Sequence, residues 1–253
     1  MSIEDTPKMS WWNRLAHPGF FVQWTTPLVW PLAGITLALF ALGVWYSFFN
    51  SPADYQMGDT VRIMYVHVPS AWLSQFMYGM MVVSALGTLV WRHPMADVSM
   101  KAAAPLGAVF TFMALFTGSL WGRPTWGTYW EWDGRMTSTL IMLFIYLGII
   151  ALWRAFDDKL KAARIVAIFT LVGAINVPII KFSVDWWSTL HQPSSVLTAE
   201  GSKIAPELLT PLFIMLFAFT LLSITLQLIS MQTEVKRRRV ATLERKAARG
   251  EAA

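Results

Sequence analysis

The sequence predicts an all-α polytopic membrane protein with six transmembrane helices and both termini cytoplasmic. Composition is the first reason: 55% of the 253 residues are apolar and 14% charged, about half the charged share usual in a soluble domain. The second is six apolar runs, each near the 20 residues that cross about 30 Å of hydrocarbon. The third is the distribution of Lys and Arg between alternate connecting segments, because basic residues of short loops stay on the cytoplasmic side.

The runs are 28–49, 71–91, 102–120, 137–153, 165–182 and 208–230. The fifth contains Asn176 and Pro178, which predicts a kink or a locally freed backbone group. Ahead of the first, Trp11, Trp12, Phe20 and Phe21 suit a short helix lying on the cytoplasmic interface. No cleavable signal peptide is expected, since the polar start lacks one and the first run is too long for its apolar region.

Of the 20 basic residues, 15 fall in the N-terminal segment, the 92–101 and 154–164 loops and the tail 231–253. The tail's run Lys236-Arg237-Arg238-Arg239 follows a span directly, so its charge is read as a topology anchor touching anionic membrane lipid, with no nucleic acid implied. Loops 50–70, 121–136 and 183–207 then lie outside, and residues 1–253 read as a single integral membrane domain. There is no cysteine, which excludes disulfides, thiolate metal sites and covalent haem attachment through C-x-x-C-H. No zinc-protease motif or phosphate-binding loop is present either.

The polar information is concentrated outside. Trp121, Trp126, Trp130, Trp132 and Tyr129 crowd into residues 121–132, interleaved with Gly, Pro, Arg123, Glu131 and Asp133, and the dense segment runs on to Arg135. A plain aromatic belt at the membrane interface is the simpler reading. Flat apolar faces set beside hydrogen-bonding groups favour a ligand platform instead. If the stretch is helical, Trp126, Trp130 and Asp133 share one face.

Four histidines occur. His17 and His93 fall on the cytoplasmic side and read as surface residues. His67 ends the first outer loop and His191 lies in the third, so the two flank the Trp-rich loop on one side of the membrane. A pair of imidazoles there could clamp one haem iron. Indole faces would cover the porphyrin disc, and Arg62, Arg123 and Arg135 could pair bidentately with propionates. Asp133 and Glu131 would orient the groups around them.

The run Trp121-Gly122-x-Pro124-x-Trp126-Gly127-x-x-Trp130-x-Trp132-Asp133 resembles the tryptophan-rich WWD signature of haem-handling proteins in cytochrome c biogenesis. With the two outer histidines, six spans and this length, the chain resembles the CcmC family over roughly residues 50–210. The stretches Arg62-Ile63-Met64-Tyr65-Val66-His67-Val68-Pro69 and Leu190-His191-Gln192 are similar to that family's pattern as well. The resemblance implies a bacterial inner-membrane protein that presents non-covalent haem b on the periplasmic side to the chaperone CcmE. His67 and His191 would be its axial ligands, and Trp121, Trp126, Trp130 and Asp133 the platform. Arg62 and Arg135 would affect complex formation with CcmE, while the transporter subunits CcmA and CcmB and the small protein CcmD would be partners. The protein would be a haem-presenting scaffold more than a chemical catalyst. Two other readings stand beside this one: a transporter moving haem or another small molecule through its own spans, to which Asn176 with Pro178 lends the sole support, and a membrane anchor whose Trp-rich loop binds a protein.

Overall fold

The computed structural model describes residues 14, 16–192, 196 and 201–250. They hold seven α-helices: α1 (Pro18–Trp45), α2 (Met64–Leu89), α3 (Ala96–Trp126), α4 (Gly134–Ala155), α5 (Lys159–Gly173), α6 (Asn176–Trp186) and α7 (Pro206–Ala248). A π-turn, Tyr46–Asn50, extends α1, and a 3₁₀ turn, Asp59–Ile63, leads into α2. Taking α5 and α6 as one broken rod, six helical segments run back and forth. Five are long and apolar enough to cross a membrane.

The remaining rod, α2, is less apolar for a visible reason. Its Ser70, Ser74 and Ser84 face inward and are buried, so it forms the polar-veined centre of the bundle, and its 26 residues still span about 39 Å. It packs along α3, where Ala103 and Ala104 are fully buried, while Gly107 of α3 makes room for the Tyr146 ring of α4. Tyr146 donates to the Ser74 carbonyl at 2.7 Å and Tyr78 to the Thr170 carbonyl at 2.9 Å, which satisfies both hydroxyls inside the bundle. The outer surface is apolar instead: Trp30, Leu37, Val83 and Phe217 are all exposed. Such a surface is at home in lipid and would be a liability in water. The protein is a multi-pass membrane protein.

Helix ends depart from the expected runs in instructive ways. Phe20 and Phe21 do not form a separate interfacial helix. They sit in the first turn of α1, where Phe21 is buried with Met231 of α7, because a continuous rod buries that ring better than a surface helix would. Trp11 and Trp12 lie outside the described residues. The fifth run does break: the helix stops at Gly173 and restarts at Asn176, whose Nδ2 donates to the Ser138 carbonyl at 2.8 Å. That satisfied bond gives Asn176 a structural use and leaves the transport reading without its one interior polar feature.

The sixth run continues as helix far past residue 230. The 43 residues of α7 reach about 65 Å, twice the hydrocarbon thickness. Its second half is pinned to the start of α3 by Glu234, which accepts from Lys101 at 2.7 Å and Arg238 at 2.9 Å, while Arg238 pairs with Asp97 at 2.7 Å. Gln232 completes the seam through its Nε2, which donates to Thr25 Oγ1 of α1 at 2.9 Å. The first and last helices pack along each other, from Thr25 with Gln232 at this basic end to Gly43 with Met215, and the candidate site residues gather at the end opposite the basic one.

Candidate functional site

At that other end a cavity of about 680 Å³ opens among α2, α3, α4, α6 and the segments beside α6 and α7. Its size is within the range that holds a ligand of several rings. His67, His191, Trp121, Trp126 and Arg135 all line it. Residues distant in the sequence thus share one space.

His67 occupies the first turn of α2, one turn further into the helix than a loop residue would be. Its Nδ1 lies 3.1 Å from Thr117 Oγ1 of α3, and its ring meets the edge of Trp121 at a centroid distance of 5.8 Å. Gly118 makes room: a Cβ built there would come within 2.9 Å of His67 Cε1.

His191 is held from a different direction. Asp133 precedes α4 as its N-cap, and Oδ1 accepts the Met136 N–H at 2.7 Å, the bond that starts the helix. Oδ2 faces the segment after α6, where it accepts from Thr189 and lies 2.8 Å from His191 Nδ1. Thr189 in turn accepts the His191 backbone N–H at 3.1 Å. Burial alone would raise the Asp133 pKa, but the hydrogen bonds from Thr189, Met136 and His191 outweigh it and hold the carboxyl below its usual value. Burial pushes the His191 pKa down, and the pull of Asp133 only partly offsets that. The contact is therefore a hydrogen bond from a neutral imidazole to a carboxylate, with Nε2 left free. Trp126 covers the ring edge-on at 4.8 Å.

The Trp-rich segment is not one helix. Residues up to Trp126 finish α3, Gly127 closes it at φ +82°, and 127–133 run irregularly to the Asp133 cap. The left-handed turn at Gly127 removes the common helical face expected for Trp126, Trp130 and Asp133. Trp121 and Trp126 line the cavity, whereas Trp130 and Trp132 stack edge-to-face on each other at 5.3 Å, with Trp132 72% exposed. Asp133 reaches the cavity through His191.

Arg62, Arg123 and Arg135 also separate. Arg135 lines the cavity and reaches the carbonyls of Gln192 and Lys181 only at 3.5 and 3.4 Å. Arg62 turns to Asp59 at 2.8 Å and the Ser51 carbonyl at 3.3 Å, away from the cavity lining. Arg123 folds back on the Gly127 carbonyl and over the Tyr129 ring. Lys203, Lys181 and Gln75 line the cavity too, and sequence reasoning passed over them. It passed over Thr117 as well, which contacts His67 and lies one helical turn before Trp121 on α3.

Comparison with known proteins settles the relationship. The family model described as CcmC, heme exporter protein C, matches residues 11–246. The chain belongs to the CcmC family. It is 59% identical over 230 residues, 91% of this chain and 87% of the relative, to the heme exporter protein C of Bradyrhizobium diazoefficiens. Its identity to the heme exporter protein C of Escherichia coli K12 is 47% over 214 residues, 85% of this chain and 83% of that one. A putative cytochrome c biosynthesis ccmC-like mitochondrial protein of Marchantia polymorpha is 42% identical over 209 residues, 83% of this chain and 89% of the relative.

Proposed function

We propose that this chain handles haem for cytochrome c maturation, holding haem b non-covalently at the periplasmic face of the bacterial inner membrane and delivering it to the chaperone CcmE. The observation that carries the reading is the convergence of His67 and His191 on one aromatic-walled cavity, each bonded through Nδ1. The residues fit the group. Neutral imidazoles with a free nitrogen are ligands for iron, Trp121 and Trp126 supply apolar walls, and Arg135 with Lys203 supplies cations for carboxylates. The indole Nε1 of Trp121 and the Nε of Arg135 are buried with no hydrogen-bond partner, as polar atoms awaiting a ligand would be.

His67 and His191 would hold a bound haem through its iron, which the haem would supply. The chain's residues position and shield: Asp133 and Thr117 aim the rings, the indoles keep water from the faces, and Arg135 orients the carboxylate edge. Sidedness follows from the basic end, whose Lys and Arg belong in the cytoplasm; the cavity end is then periplasmic. Energy from ATP must come from partners, for which the family points to CcmA and CcmB, with CcmD alongside.

The test is the absorption spectrum of the protein purified in detergent. A Soret band of low-spin haem is expected, weakened by His67→Ala or His191→Ala and abolished by both together, with membrane insertion intact. Full retention of the band in the double variant overturns the reading.

A further inference from the structure

The two histidines are each held through Nδ1, yet by partners of different kind. His191 faces the Asp133 carboxylate at 2.8 Å, whereas His67 faces the hydroxyl of Thr117 at 3.1 Å. Thr117 has one proton to give, and geometry shows where it goes. Its Oγ1 lies 2.6 Å from the Met113 carbonyl one helical turn earlier, with the Ala114 carbonyl farther off at 3.4 Å. With its proton directed to the backbone, Oγ1 meets His67 as an acceptor, and the Ala114 carbonyl beside it is a second acceptor for the ring, so the hydrogen belongs on His67 Nδ1. A neutral imidazole has a single N–H; Nε2 keeps its lone pair. Thr117 is buried, so bulk water does not compete for this bond.

Resting on the haem reading above, we propose that Thr117 is a positioning residue that sets the tautomer and ring angle of His67, and that His67 is the weaker, first-released ligand of the pair. The second part follows from the unequal backing. A carboxylate hydrogen-bonded to Nδ1–H raises the basicity of the opposite nitrogen and strengthens its bond to a metal. A neutral hydroxyl does this less. His191 is also tied at three points, through its ring to Asp133, its backbone to Thr189 and its ring face to Trp126. Directional release serves a delivery protein, because one ligand holds the cargo while the other site opens to an incoming one.

Carbon monoxide added to the reduced, haem-loaded full chain in detergent tests both parts, because it displaces the weaker axial ligand and its stretching frequency reports the ligand that stays. The wild-type adduct is expected to match that of His67→Gly and to differ from that of His191→Gly. Thr117→Val, which keeps the shape and removes the acceptor, should leave that frequency unchanged while carbon monoxide binds roughly tenfold more tightly. Thr117→Ser should behave as wild type, and Asp133→Asn should move the frequency itself. A wild-type adduct matching His191→Gly overturns the release order, and carbon monoxide affinity unchanged in Thr117→Val overturns the positioning role. Should Thr117→Val fail to fold, Thr117→Ala removes the same acceptor and makes the same comparison. If the purified wild type lacks a two-nitrogen spectrum, the haem reading falls first and this inference with it; if that spectrum is present and only the carbon monoxide results fail, the haem reading stands.

Discussion

The two ends of the bundle both draw charged side chains out of water, and they treat them in opposite ways. At the basic end Glu234, with 7% of its side chain exposed, is enclosed by Lys101 and Arg238, and Arg238 reaches Asp97 as well. At the cavity end Arg135 has two long carbonyl hydrogen bonds and the attraction of Asp133 and Asp185 without an ion pair, Trp121 Nε1 has no partner, and about 680 Å³ stays open. A charge-paired network makes a helix seam, although Arg238 Nη2 keeps no partner, since breaking one partner leaves buried charge uncompensated. An open one carries unmet polar groups, a cost that a binding site recovers when its ligand arrives.

This contrast can be broken experimentally, and the largest effect expected is a double dissociation. Replacing His67 and His191 together by Ala should remove the Soret band while the apoprotein melts within a few degrees of wild type. Glu234→Ala should do the reverse, retaining haem but losing about 3 kcal/mol of stability, read as an earlier thermal unfolding in detergent. Haem loss in the Glu234 variant at temperatures where it is folded would mean that the two ends are coupled.

Within the cavity end, the arginines sharpen the comparison. Arg135→Ala should weaken haem binding at least tenfold, the value of about one charged hydrogen bond, in a titration of apoprotein. Arg123→Ala should change it less than twofold, because that side chain is committed to Gly127 and Tyr129. Equal losses in both would show that the lining of the cavity does not define the site. The smallest effect expected comes from Gly118→Ala. Its Cβ would press on His67 Cε1, at a cost of about 1 kcal/mol, seen as a modest rise in high-spin haem without loss of retention.

Much of this architecture was legible from residue order. Hydrophobic runs mark segments that lipid must enclose, and the break at Asn176 was visible because a proline two residues on cannot complete the hydrogen-bond ladder. The family was legible from the spacing of tryptophans with His67 and His191. The internal geometry of the Trp-rich segment was not. Nothing in local spacing says that α3 runs on to Trp126 or that Gly127 then turns left-handed, sending Trp130 and Trp132 to the rim. Equally, Arg62, Arg123 and Arg135 look alike in a sequence. Each takes the nearest acceptor that folding brings, and only for Arg135 does that leave the guanidinium on the cavity.

By itself, then, the order of residues determined the all-α membrane class, the positions of the spans and the chemical kinds available outside them, because those depend on the solvent each segment must meet. Tertiary structure alone decided that Thr117 backs His67, that Asp133 both caps α4 and holds His191, and which indoles line the cavity. Such pairings depend on distances between segments far apart along the chain, and helix packing sets those distances.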